Sequence, residues 1–194
     1  MKDIIIVIIC YLIGSISFSF LLTKFKLRKD IREFGSGNAG TTNVLRVLGR
    51  KYAVMVLIGD VLKGVIAVLI GRFFGSSQVV TILCGLAVLI GHNWPALMGF
   101  RGGKGIATSI GVFLVYDPTV ALVCIAIGIV IIAVSKYVSL GSICGMAIFP
   151  LVNLAFSRGI QNFIFAFIIA AIVIYKHRAN IGRLVKGTEN KLKL

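Results

Sequence analysis

Charge is scarce in this chain of 194 residues, and acid is the scarcest part of it. Only 14% of the residues are charged, and the six that are Asp or Glu are scattered. No carboxylate cluster could hold a pair of catalytic metal ions. The four cysteines, Cys10, Cys84, Cys124 and Cys144, lie inside apolar runs and share no ligand spacing with the two histidines. That argues against a zinc site and leaves no thiol nucleophile on a loop, so they read as small buried hydrophobes. A Ser-His-Asp grouping is missing as well, which disfavours covalent catalysis. The basic residues have no interleaved aromatics and no soluble domain to present them, so a formal net charge of +15 does not point to nucleic acid. With no repeat, low-complexity stretch or second domain, residues 1–194 are expected to form a single polytopic membrane domain.

What the chain has is apolar length. It is 58% hydrophobic, with a mean hydropathy of +1.02, the composition of an integral membrane protein. The expected spans are 4–23, 53–74, 79–98, 106–116, 119–135, 140–156 and 160–176. The first is about as long as a span and has no small-residue cleavage site after it, so it reads as a retained helix rather than a signal segment. The fourth is short, since roughly 20 residues are needed to cross unaided. Charge decides its path. If all seven segments cross, 17 Lys and Arg lie on one side against three on the other, Lys2, Arg72 and Arg158, with Lys63 inside a span. If the fourth does not cross, the basic tail lies opposite the basic first loop, against the positive-inside rule. The expectation is therefore an all-α membrane protein with seven transmembrane helices, the N-terminus outside and the C-terminus cytoplasmic, in the bacterial cytoplasmic (inner) membrane.

In this topology every polar Gly/Ser/Asn-rich segment falls on the cytoplasmic side: GSGNAGTTNVLR (35–46), GHNWPALMGFRGGKGIATS (91–109), KYVSLGS (136–142) and KHRANIGR (176–183). Irregular backbone cannot face lipid, so these runs should be buried in protein or line a polar cavity, where they can meet in one site. Thr41, Thr42 or Asn43 could cap a short helix carrying Arg46. Ser139 and Ser142 would share a helix face, and His177 and Asn180 have the same spacing. A glycine turn opening a helix beside Lys104 suits phosphate. The turn is not a nucleotide loop, because Met98 stands where the first glycine is needed and Gly105 where Ser or Thr is. A basic loop that only meets lipid headgroups is the plainer alternative. His92, with Asn93, Trp94 and Pro95 at a helix end, reads as structural, and His177 is balanced between an interfacial and a functional residue. Asp60 and Lys63, at i and i+3 inside the second span, are expected to pair with each other.

On these four motifs the chain resembles the PlsY family, the bacterial membrane acyl phosphate:glycerol-3-phosphate acyltransferases, with HRANIGRLVKGTENK similar to its C-terminal pattern. The resemblance covers nearly the whole chain. It implies transfer of a fatty acyl group from acyl phosphate to the 1-hydroxyl of glycerol 3-phosphate, the first acylation of phospholipid synthesis. The products are lysophosphatidic acid and phosphate, formed with no covalent intermediate, no cofactor and no metal. By match to the motifs, Ser36, Gly37, Asn38, Thr41, Thr42, Gly102, Gly103 and Gly105 are expected to hold the acyl phosphate. Arg46, Lys104, Ser142, Asn180 and His177 would hold glycerol 3-phosphate, with His177, Lys104 and Ser142 at the reacting centre. The implied partners are these two substrates and membrane lipids, for a monomer whose active site faces the cytoplasm. The His-x-x-x-x-Asp pattern of other acyltransferases is absent, since Leu97 follows His92 and Gly182 follows His177 at the acidic position. An anion or phosphoester transporter is the non-enzyme alternative. Unequal helices, no inverted repeat and polar motifs on one face do not suit alternating access.

Overall fold

The structure, a computed structural model, describes residues 1–192; Lys193, one of the basic residues counted in the tail, lies outside them. Among the described residues every regular element is helical. Ten α-helices follow one another: α1 (Lys2–Ser15), α2 (Phe18–Leu27), α3 (Thr41–Leu48), α4 (Arg50–Phe74), α5 (Gln78–Asn93), α6 (Ile106–Tyr116), α7 (Pro118–Ser135), α8 (Val138–Ala155), α9 (Ile160–Lys176) and α10 (Arg178–Val185). Short 3₁₀ turns at Ile31–Glu33 and Ala96–Met98 lie in the first two polar loops.

Each expected span is helical, with differences that have local causes. The first breaks at Ile16 and Ser17, where the Ser17 hydroxyl accepts from the Phe20 amide and starts α2 afresh. Five stretches are long and apolar enough to cross a membrane: Lys2–Leu27, Arg50–Phe74, Gln78–Met98, Pro118–Ser135 and Val138–Ala155. They become six if α9 and α10, bent by 61° to each other, count as one. Helix α6 has 11 residues, about 16 Å of helix against about 30 Å of hydrocarbon.

The helices form two compact units, Met1–Tyr116 and the residues from Asp117 on. In the first, α1 packs on α5 and α4 packs on both α5 and α6. Glycine makes the closest of these approaches. A methyl on Gly111 would strike the Val61 carbonyl, and one on Gly64 the Thr108 carbonyl, so α4 and α6 meet backbone to backbone. In the second, α8 lies between α7 and α9. Pro118 opens α7 at its first turn, and Asp117 caps it by accepting from the Val120 amide. The same carboxylate holds Arg158 at 2.9 Å.

Candidate active site

The first unit brings two of the polar loops together. After α2, Asp30 and Glu33 form a reciprocal capping box around the first 3₁₀ turn. Gly35 and Gly37 then take positive φ, +58° and +69°, and turn the chain toward α3. Asn43 holds this shape from below. Its Oδ1 accepts from the Ser36 amide at 2.9 Å, and its Nδ2 donates to the carbonyls of Phe34 (2.9 Å) and Ile31 (3.3 Å). This corrects the expected cap. Gly40 occupies the position before α3 and no side chain caps it. Thr41 and Thr42 lie in the first turn, and Asn43 is committed to the loop because a buried amide needs all its partners. Arg46 is exposed farther along α3, Ser36 and Gly37 are exposed, and Asn38 is half-buried.

The second loop is built on the end of α5. The Gly102 and Gly103 amides donate back to the carbonyls of Asn93 (3.3 Å) and His92 (3.1 Å), and the Phe100 amide donates to Pro95 (2.9 Å). Those two glycine amides are therefore spent inside the protein. What glycine supplies here is room, because a methyl on Gly103 would overlap the His92 ring and crowd the Ala39 carbonyl. Gly105, at φ +88°, then opens α6, whose first-turn amides have no carbonyl a turn earlier to bond, as at any helix start. Lys104 is half-buried between these glycines. Arg32 ties the loops together: it is paired with Asp30 at 2.6 Å and donates through Nη1 to the carbonyls of Met98 (2.8 Å) and Arg101 (3.3 Å). Ile31, Ala39, Val44, Ala53, Val56 and Met98 pack beneath both as one apolar cluster.

The second unit gathers the remaining motifs around a residue the sequence reading passed over. Gly187, at φ +67°, turns the chain after α10 and brings Glu189 back under it. One carboxylate oxygen of Glu189 accepts from Asn180 Nδ2 (2.7 Å) and Ser139 Oγ (2.9 Å), and the other from Arg183 Nε (2.7 Å). Burial works against ionisation of this carboxyl, but the donors Asn180, Ser139 and Arg183 outweigh it and hold it below the ordinary glutamate range. Being the one acid in a basic tail, Glu189 carried a signal that could have been read. Ser142 lies three residues along α8 from Ser139 and is half-buried. His177 is buried at the bend between α9 and α10, and its Nδ1 lies 2.8 Å from the Val173 carbonyl. A carbonyl can only accept, so that nitrogen carries the proton.

Asp60 and Lys63 do pair, at 2.8 Å. Sequence did not show that His92 joins them, with its Nδ1 2.7 Å from Lys63 Nζ. Cys10, Cys84 and Cys124 are buried and Cys144 is half-buried, none of them in a disulfide.

Long apolar helices ending in rigid, glycine-turned polar loops define an integral membrane protein with its polar machinery at helix ends. The chain belongs to the glycerol-3-phosphate acyltransferase family, whose model matches residues 4–187. It is 54% identical over 185 residues to the glycerol-3-phosphate acyltransferase of Thermoanaerobacter pseudethanolicus, which covers 95% of this chain and 93% of that one. To the Alkaliphilus metalliredigens protein of that name it is 47% identical over 192 residues, 99% and 97% of the two chains. Its fold matches the crystal structure of PlsY, an integral membrane glycerol 3-phosphate acyltransferase, in its glycerol 3-phosphate form. That match has a TM-score of 0.93 at 40% identity and covers 100% of this chain and 96% of that one.

Proposed function

We propose that this protein transfers a fatty acyl group directly from acyl phosphate to the 1-hydroxyl of glycerol 3-phosphate. The hydroxyl oxygen attacks the acyl carbonyl carbon, the bond from that carbon to the phosphate oxygen breaks, and the phosphate leaves with the hydroxyl proton. No enzyme ester forms, and no cofactor or metal takes part. The observation that carries this reading is the joining of the two glycine-rich loops in the first unit, through Arg32 and the contact of Gly103 with Ala39. That arrangement supports an acyl-phosphate cradle at Ser36, Gly37, Asn38, Thr41, Thr42, Gly102, Gly103 and Gly105, in which Gly102 and Gly103, their amides already bonded, contribute room for the phosphate. Arg46, Lys104, Ser142, Asn180 and His177 bind glycerol 3-phosphate in the same reaction. Acyl phosphate is a mixed anhydride with a good leaving group, so positioning and charge stabilisation supply most of the rate. His177 orients the acceptor and the departing phosphate takes the proton. The chain acts as a monomer in the inner membrane, with seven crossings and its polar loops in the cytoplasm.

Donor competition tests the reaction. Purified protein with labelled glycerol 3-phosphate is offered a long-chain acyl phosphate or the matching acyl-CoA. Labelled lysophosphatidic acid from the first alone is the expected result, and product from acyl-CoA alone overturns the donor. Uptake of phosphate into liposomes without acylation would instead establish a transporter.

A further inference from the structure

Three ionisable groups deep in the first unit form one cluster that the reaction above leaves without a task. Asp60, Lys63 and His92 are 2%, 3% and 7% exposed. Lys63 Nζ lies 2.8 Å from Asp60 Oδ1 and 2.7 Å from His92 Nδ1, and it donates at 3.1 Å to the carbonyls of Gly14 and Ile16. Those two carbonyls lie where the first span breaks between α1 and α2, so the ammonium satisfies a helix end inside the membrane protein. His92 Nδ1 also lies 3.5 Å from Asp60 Oδ1, so both members of the charge pair face that one ring nitrogen. The other ring nitrogen, Nε2, rests against the α-carbon of Gly103, so closely that no side chain fits there, while the His92 carbonyl accepts from the Gly103 amide at 3.1 Å. Ring and backbone of one residue thus both meet the glycine that precedes Lys104.

Beyond the donors that Lys63 gives to the Gly14 and Ile16 carbonyls, helix packing does not require these charges. Glycine contacts already seat α1 on α5 and α4 on α6, and a buried ion pair is often no more stabilising than apolar side chains of similar size. We propose that Asp60, Lys63 and His92 are a positioning network for the GGKG turn. The charge pair fixes the ring orientation of His92, and His92 fixes Gly103 and, through it, Lys104. This rests on the reading of that turn as part of the acyl-phosphate site.

The test uses Asp60→Leu/Lys63→Met, which removes both charges without leaving one unpaired, together with His92→Ala and His92→Gln. Three readouts are taken on the purified full-length protein: Tm, amide hydrogen exchange of residues 99–105 without substrate, and KM for each substrate. The double variant also takes the donor from the Gly14 and Ile16 carbonyls, so its Tm should fall. The expected result is exchange of the turn raised about tenfold or more, beyond that of the rest of the protein, with KM for acyl phosphate raised about as much. KM for glycerol 3-phosphate should rise as well, because Lys104 belongs both to this turn and to the residues that bind that substrate. His92→Ala should behave likewise, and His92→Gln, whose amide nitrogen reaches the place of Nε2, should recover most of the protection. Unchanged exchange and unchanged KM in both the double variant and His92→Ala overturn the proposal. So does exchange raised equally across the whole protein rather than in residues 99–105, which marks general destabilisation. If wild type does not turn over acyl phosphate, the functional reading fails by itself, and the exchange data still decide whether the network holds the turn.

Discussion

At Glu189 burial and hydrogen bonding pull in opposite directions, and hydrogen bonding wins. Because its folded carboxyl is held low, the stabilisation it brings is fully present above the unfolded glutamate value of about 4.3. It is lost only as pH falls through the lower folded value. Glu189→Gln keeps an acceptor for Asn180 and Ser139 but removes the charge facing Arg183. Its Tm should lie below wild type at pH 7, and the gap should close as both are taken below about pH 4. A gap independent of pH would mean that the charge contributes nothing. On the substrate side, Lys104→Ala and Arg46→Ala should each cost on the order of 2 to 4 kcal/mol in kcat/KM, the loss expected when one partner of a charge pair is removed from a bound complex. Lys191, stacked on the Tyr137 ring at 5.6 Å, is the control; if Lys191→Ala is as damaging as Lys104→Ala, diffuse electrostatics replaces a shaped site. For His177, kcat within about tenfold of wild type in both His177→Gln and His177→Ala, at saturating glycerol 3-phosphate, is expected of an orienting group. A fall of about three decades in both would make it the base.

Elements were more legible than the bonds that set them. Each of the seven apolar runs falls on helix, the first of them on two helices, and five or six are span-length, because a span declares itself by length and composition. The glycine-rich motifs located both loops of the first unit. Three features were not legible, each for a physical reason. The break after Ser15 falls inside a run apolar enough overall to read as one span, and among Ser15, Ser17 and Ser19 nothing local singles out Ser17 as the restart. Asn43 looked like a cap because Asn is a good one, but tertiary partners at Ser36, Phe34 and Ile31 claimed its amide. His92 stands 29 residues from Lys63, so no local spacing joins them. The GGKG turn depends on having no side chain at Gly103. Gly103→Ala should therefore cost activity by about a hundredfold, as a misplacement near 1 Å can, while circular dichroism retains the helical signal. Near-wild-type activity would show that the turn tolerates displacement.

For the whole molecule, the open quantity is how often it crosses the membrane, since five or six helices are long enough and α6 is short. Single cysteines in a cysteine-free background report this. With seven crossings, Lys29→Cys and Lys186→Cys react only from the cytoplasm, and Ser77→Cys and Gln161→Cys only from outside. Labelling of Lys186→Cys by an impermeant reagent on intact cells would mean that one segment does not cross, and would put the tail opposite the first loop. Direct acyl transfer is the central claim, and phosphate release measured with and without acceptor tests it most directly. Purified protein is mixed with a long-chain acyl phosphate, and inorganic phosphate and lysophosphatidic acid are followed together. The expected result is no phosphate until glycerol 3-phosphate is added, then one phosphate for each lysophosphatidic acid. A burst of phosphate stoichiometric with enzyme in the absence of glycerol 3-phosphate would contradict it, because that burst is the mark of an acyl-enzyme.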